Sequence, residues 1–329
     1  MHKAISFALL LLAFPLTAPA NDYASRPEAR EFARELAGES NFAEVELLSI
    51  LAQAEYQQGV IDSISRPAER ELTWAEYQDI FLTQERTAAG VEFMSEHRAA
   101  LTQAHERYGA PPEVVAAIIG VETFYGRITG DYRVLDSLAT LTFDYPPRAG
   151  FFRGQLKQFI RLARQEEIEI TSLKGSYAGA MGLGQFIPSS FLNYAVDFDG
   201  DGFRDIWNNP TDAIGSVANY LNEHGWERDA VIALRVEAAG VPRDVFNVSP
   251  EPGISIAELE ASGMIAELGN LDREQWVMPM RLVGKRGDEF WLGMRNFYVI
   301  TRYNHSELYA MAVYQLSESL KKAVTPSDR

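Results

Sequence analysis

PPEVVAAIIGVETFYG, residues 111–126, predicts a helix that ends on an acid. Proline is tolerated in the first helical turn, where no amide donor is needed, so Pro111-Pro112 reads as an entry point. Beyond it Val115, Ile118, Ile119 and Glu122 fall at i, i+3, i+4 and i+7 on one face, with Gly126 shortly after. The face that should enter a core therefore carries a carboxylic acid in its last turn. Desolvation disfavours the charged form of a carboxyl and makes it a usable proton donor near neutrality. The competing readings are a last turn aimed at solvent, or a lysine or arginine paired with Glu122.

The chain of 329 residues is long enough for one large domain or two to three smaller ones. Its 47% hydrophobic and 11% aromatic content is that of an ordinary globular protein, which excludes disordered and fibrous classes. The first twenty residues are set apart: His2 and Lys3, an apolar run from Ala4 to Leu16, then Ala18-Pro19-Ala20. This predicts a cleaved secretory signal peptide at 1–20, since the apolar run is too short to span a membrane. There is no cysteine, so the exported protein holds together without disulfides and cannot carry a lipid on an N-terminal cysteine. The expected product is a soluble periplasmic monomer with no membrane anchor. Loss of Lys3 with the signal takes the formal charge from −16 to −17, which argues against nonspecific nucleic-acid binding.

Residues 21–110 read as an N-terminal helical region, with apolar residues at helical spacing over Pro27–Leu36, Val45–Gln57 and Trp74–Ala104. Residues 111–225 form the expected central core, in which helical spacing resumes over Phe151–Glu167. Thr211 is expected to cap a helix running to about Glu223, stopped by Gly225. Short apolar runs interrupted by glycine and proline, including Trp276–Val283 and Phe290-Trp291-Leu292, predict a small mixed subdomain at 226–296. The last part, 297–329, reads as a short extended piece over Phe297–Ile300 and a closing helix from Ser306 to Lys321. The fold class is mainly α, with a minor β component.

Two further segments carry chemistry. Asp197-Phe198-Asp199-Gly200-Asp201-Gly202 supplies positions 1, 3, 5 and 6 of an EF-hand calcium loop, and position 7 is the backbone carbonyl of Phe203. Carboxylates this close repel one another, and a hard cation relieves the repulsion. Position 12 is Asn208, so the missing carboxylate falls to Asp205 or Asp212 in a stretched loop. A lone loop suggests a structural ion; the bland alternative is an acidic turn. The segment Lys174–Phe186 is rich in glycine and alanine, which let backbone approach a ligand or a neighbouring element closely. It is not a phosphate loop, because its lysine precedes the glycines. No His-Glu-x-x-His zinc site, Gly-x-Ser-x-Gly elbow or cysteine nucleophile is present. Tyr125, Phe143, Tyr145, Phe186, Tyr194, Tyr220, Tyr303 and Tyr309 lie near these motifs, where they suit either a core or the apolar faces of sugar rings.

Taken together, Ile119-Gly120-Val121-Glu122-Thr123, Leu138-Ala139-Thr140-Leu141, Lys174-Gly175-Ser176 through Ser190, Asp212 through Tyr220, and Ile300 through Ser306 resemble the lytic murein transglycosylase B family, colinearly over about residues 70–315. The resemblance implies a lysozyme-like helical core with flanking helical and small mixed subdomains, acting on the glycan strands of peptidoglycan, with other cell-wall enzymes as possible partners. It implies cleavage of the β-1,4 bond from N-acetylmuramic acid to N-acetylglucosamine, leaving 1,6-anhydromuramyl ends. The family's single catalytic glutamate falls on Glu122 and its nearby serine on Ser176. Sugar-subsite residues carry over to Tyr77, Arg148, Gln185, Tyr220, Tyr303, Asn304 and Tyr309. The family's calcium loop falls on Asp197, Asp199, Asp201, Phe203 and Asp212, with the choice between Asp205 and Asp212 left open; no cofactor is implied for the chemistry. Some members are lipoproteins, and this chain departs from them in having no cysteine to acylate.

A conventional glycosidase needs two carboxylates flanking the bond. With one, Glu122 donates a proton to the leaving oxygen and then takes the proton of the muramyl 6-hydroxyl, which attacks the anomeric carbon internally. Asp136 and Asp144 are minor candidates for a second acid. The rival readings are a muramidase that uses water and a calcium-stabilised wall-binding protein without turnover.

Overall fold

The computed structural model describes residues 22–66, 72–238 and 240–324; residues 1–20, expected to be a signal peptide, lie outside the described residues. The chain divides at Tyr56 into two compact units. In the first, α1 (Pro27–Glu39) and α2 (Glu44–Leu51) pack Phe32, Leu36, Leu47 and Leu51 into a small core with Tyr23. Pro27 starts α1 as expected, whereas the helix read over Val45–Gln57 stops at Leu51.

The second unit opens with α3 (Gln58–Ile64), α4 (Trp74–Phe81), α5 (Gln84–Glu96), α6 (Arg98–Tyr108) and α7 (Pro112–Thr123). The single periodic run read from Trp74 to Ala104 is three helices. Thr73 caps α4 in a reciprocal box with Glu76, Thr83 caps α5, and the chain turns again at His97. Next come β1 (Tyr132–Arg133), α8 (Val134–Phe143), α9 (Ala149–Gln165), β2 (Lys174–Gly175), α10 (Pro188–Tyr194) and α11 (Pro210–Glu223). Asn209, not Thr211, caps α11: its side-chain oxygen accepts the Thr211 amide at 3.0 Å, and Pro210 takes the first turn.

The small sheet follows, with β3 (Ala233–Val236), β4 (Ile254–Ser255), the short α12 (Ile256–Ala261), β5 (Trp276–Gly284) and β6 (Gly287–Gly293). All its pairings are antiparallel in the order β3-β6-β5-β4, and Met280 stands opposite Trp291. Phe246, Ile256, Leu259, Val277 and Leu292 fill a core of its own. Two helices close the unit, α13 (Arg295–Tyr303) and α14 (Glu307–Val324). Phe297–Ile300 is thus helical rather than extended. Phe297, Ile300 and Thr301 are buried at helical spacing, and a four-residue apolar run alone cannot distinguish the two states.

Candidate active site

Helix α7 is wrapped rather than one-sided, with α5, α6, α11 and α14 all packing on it. Every residue from Val114 to Thr123 is buried except Glu122, which is half-buried. The acid is therefore the one partly exposed side chain in the last two turns of this helix. Its backbone ends there sharply: Phe124, Tyr125 and Gly126 have φ of 51°, 59° and 87°. Only glycine adopts that region freely, and each of the two aromatic residues stores about 1–3 kcal/mol of strain. Their surroundings hold them. The Arg86 guanidinium lies 4.8 Å above the Phe124 ring, and Tyr125 packs on Phe93 with ring centres 5.5 Å apart. Gly120 has no side chain because a Cβ there would come within 2.6 Å of the Tyr125 ring.

Tyr309, buried in α14, donates its phenol proton to Glu122 Oε1 at 2.6 Å. Its ring lies nearly parallel to Tyr303, 6.5 Å between centres. Tyr303 in turn donates to the Gly184 carbonyl at 2.5 Å and sits 4.7 Å from Tyr220, which donates to the Arg302 carbonyl at 2.6 Å. Burial holds the phenols of Tyr303 and Tyr309 well above the usual tyrosine range, and the charge of Glu122 adds to it. Both rings therefore act as hydrogen-bond donors throughout the neutral range. Tyr77 is buried close enough to Tyr309 for ionisation of one phenol to oppose ionisation of the other.

The glycine-rich segment docks beside the acid. Thr123 makes the link: its hydroxyl lies 2.9 Å from the Leu183 carbonyl and 3.1 Å from that of Ile119, and it accepts the Gly126 amide at 2.9 Å. Gly182, at φ 70°, runs against the Ile206 backbone, so a Cβ there would lie 2.5 Å from its carbonyl oxygen. Close approach to neighbouring backbone is thus what these glycines provide. Gln185, at φ 51°, donates its amide to the Thr129 and Gly182 carbonyls. Ser176 accepts the Ala178 and Ala180 amides on its hydroxyl oxygen, at 3.3 and 3.1 Å, which shapes the turn that carries it. Asn304 ends α13 at the corner between Tyr303 and Tyr309. Arg148 is exposed at the head of α9, its guanidinium 4.6 Å from the centre of the Phe151 ring. Asp136 is buried against Arg133 Nε at 3.5 Å and the Gln57 amide at 3.3 Å.

In the acidic loop, Asp197, Asp199 and Asp212 each bring a carboxylate oxygen within 4.8 Å of the others. Asp212 enters from the first turn of α11, fully buried, accepting the Phe198 and Asp205 amides at 2.7 and 2.8 Å. Burial pushes its carboxyl up, those amides pull it down, and the neighbouring Asp199 charge pushes it up again. Asp205 turns away to accept the Trp207 and Asn208 amides, and Asp201 accepts the Phe203 amide. An all-oxygen set with a buried carboxylate suits a hard divalent cation such as calcium.

Residues that the sequence reading did not single out also shape this site. Thr123 ties the acid to the glycine-rich segment, and Arg86 supports the turn after it. Adjacency to Glu122 points to Thr123; nothing local points to Arg86.

The family described as the transglycosylase SLT domain matches residues 24–318. Over 315 residues the chain is 41% identical to the membrane-bound lytic murein transglycosylase B of Escherichia coli K12, covering 92% of this chain and 85% of that protein. A catenated lytic transglycosylase SltB1 from Pseudomonas aeruginosa superposes with a TM-score of 0.87 at 48% identity, covering 92% of this chain and 99% of that one. The Escherichia coli lytic transglycosylase Slt35, solved in complex with calcium, gives 0.83 at 42% identity, covering 92% and 95%. The fold is mainly helical and lysozyme-like, and the proteins it matches are lytic transglycosylases. The chain belongs to the SLT-domain transglycosylase family.

Proposed function

We propose that this enzyme cleaves the β-1,4 bond between N-acetylmuramic acid and N-acetylglucosamine in peptidoglycan, with Glu122 as the only acid–base group. The observation that carries the reading is that Glu122 is half-buried in the otherwise buried last turns of α7, with one carboxyl oxygen held by Tyr309 at 2.6 Å. Glu122 protonates the leaving glycosidic oxygen. The resulting carboxylate removes the proton of the muramyl 6-hydroxyl as that oxygen attacks the anomeric carbon. An internal nucleophile needs neither a second carboxylate nor a positioned water. The ion-paired state of Asp136 is in keeping with a single-acid scheme.

Tyr220, Tyr303, Asn304 and Tyr309 form a connected polar and aromatic wall beside the acid, suited to sugar faces and hydroxyls, with Tyr77 behind it. Gln185 and Ser176 serve at the mouth of the glycine-rich segment, and Arg148 at a more distant sugar. Asp197, Asp199 and Asp212, with Asp201 and the Phe203 carbonyl completing the shell, hold one structural calcium ion that takes no part in the chemistry. The periplasm is the proposed compartment, on the strength of the apolar leader in residues 1–20. Among the described residues no helix is long and apolar enough to cross a membrane.

Digestion of purified sacculi tests the reaction. The products should carry anhydromuramyl ends by mass spectrometry, and Glu122→Gln should stop turnover while leaving sacculus binding intact. Reducing ends would instead identify a muramidase that uses water. Turnover by Glu122→Gln would remove the acid from its assigned role.

A further inference from the structure

The corner between α13 and α14 carries Tyr303 and Asn304 on one side and Tyr309 on the other. One segment of the small sheet domain reaches both of its flanks. Asn247 donates its side-chain amide to the Glu307 carboxylate in the first turn of α14, and Glu251 accepts the Tyr298 hydroxyl of α13 at 3.0 Å. The segment is fastened to the sheet beneath it. The Asn247 backbone amide donates to the Pro279 carbonyl at 2.9 Å, its side-chain oxygen accepts the Arg281 amide at 2.9 Å, and Phe246 packs on Phe290 with ring centres 5.0 Å apart.

Position 247 makes three demands at once. Its φ of 56° lies in the left-handed region, which asparagine tolerates better than most residues. The side chain must also accept from β5 and donate to Glu307. Aspartate lacks the donor and glycine lacks both groups, so asparagine is the residue that meets all three. Glu307, two residues before Tyr309, is half-buried with this amide on it.

We propose that Asn247 and Glu307 are positioning residues for the substrate cleft, by which the sheet domain fixes the head of α14 and hence the sugar-binding corner. The inference rests on the proposed glycan cleavage for its readout, and it gives the sheet domain a part in binding substrate at a distance from the acid. Neither residue need touch the glycan. Loosening the corner weakens substrate binding and leaves proton transfer at Glu122 in place.

The test is a reciprocal exchange in the full-length protein, measured as kcat and KM on soluble glycan strands together with the thermal unfolding midpoint. Asn247→Asp keeps the bond from Arg281 but sets two carboxylates against each other, and it should raise KM by roughly tenfold with kcat little changed. Glu307→Gln alone keeps an acceptor for Asn247 and should behave as wild type. In the double variant the new amide donates to the new carboxylate, so KM should return to within about threefold of wild type. An unaltered KM in Asn247→Asp, a rise that Glu307→Gln fails to reverse, or a fall in kcat without a rise in KM each overturns the proposal. If Asn247→Asp does not fold, Asn247→Ala carries the same KM expectation. A wild-type digest without anhydro ends counts against the proposed reaction alone, because the exchange is then read as affinity for sacculi.

Discussion

Removing the hydroxyl of Tyr309 tests the site at its tightest contact. In Tyr309→Phe the ring remains stacked beside Tyr303 and still fills its buried place, so the change is confined to the 2.6 Å bond to Glu122 Oε1. A hydrogen bond to a charged group contributes about 1.5–3 kcal/mol, a range that applies once Glu122 has given up its proton and stands as the carboxylate base. Were all of it expressed in holding the carboxyl at the scissile bond, the loss converts at about 1.36 kcal/mol per decade to a ten- to hundredfold fall in kcat/KM. Stability should suffer less, by about 1 kcal/mol or under, because the abandoned carboxylate is only half-buried and water can replace the phenol. The assay is kcat/KM on purified glycan strands with the unfolding midpoint measured in parallel. A fall of less than about threefold would mean that packing alone orients Glu122, and the reasoning fails.

Calcium should stabilise the protein by about 2.7 kcal/mol relative to chelator at a hundredfold excess over its dissociation constant, and so raise the unfolding temperature; Asp212→Asn should abolish the difference in a calorimetric scan. Spectroscopic titration should find the Tyr303 and Tyr309 phenols still protonated well above the usual tyrosine range, with Tyr314 pushed up to about 12. These folded-state values lie above the unfolded ones, so their stabilisation is complete below about pH 10 and is lost as pH rises through the folded values. Equilibrium unfolding across the alkaline range checks this, and early tyrosinate absorbance in the folded protein would contradict it. Gly184→Ala places a Cβ 2.9 Å from the Tyr303 hydroxyl and 3.0 Å from Val217. It should destabilise by about 1–3 kcal/mol in denaturant titrations and weaken glycan binding, since Tyr303 must shift.

Proline marked the helix entries legibly at residues 27 and 112, and the short apolar runs Trp276–Val283 and Phe290–Leu292 both lie in strands of the small sheet, although their pairing as a hairpin was not legible. Helical spacing brought Glu122 to notice, but it pictured a one-sided helix where the structure has one wrapped on all sides; periodicity weakens when every face is apolar. The acidic loop was visible, yet the third carboxylate of its cluster comes from the next helix, and loop spacing could not choose between Asp205 and Asp212. The left-handed backbone at Phe124, Tyr125 and Gln185 leaves no mark in residue type, since tertiary packing imposes it. The pairing of Tyr309 with Glu122 spans 187 residues, and no local rule reaches that far.

The encasement of α7 bears on how this enzyme moves. Amide groups open for exchange most readily where few buried contacts hold them, and a helix covered by four others lies at the opposite extreme. Glu122 is thus mounted on an element whose amides should be among the slow ones to exchange, so the acid keeps its place while less enclosed parts of the unit open around it.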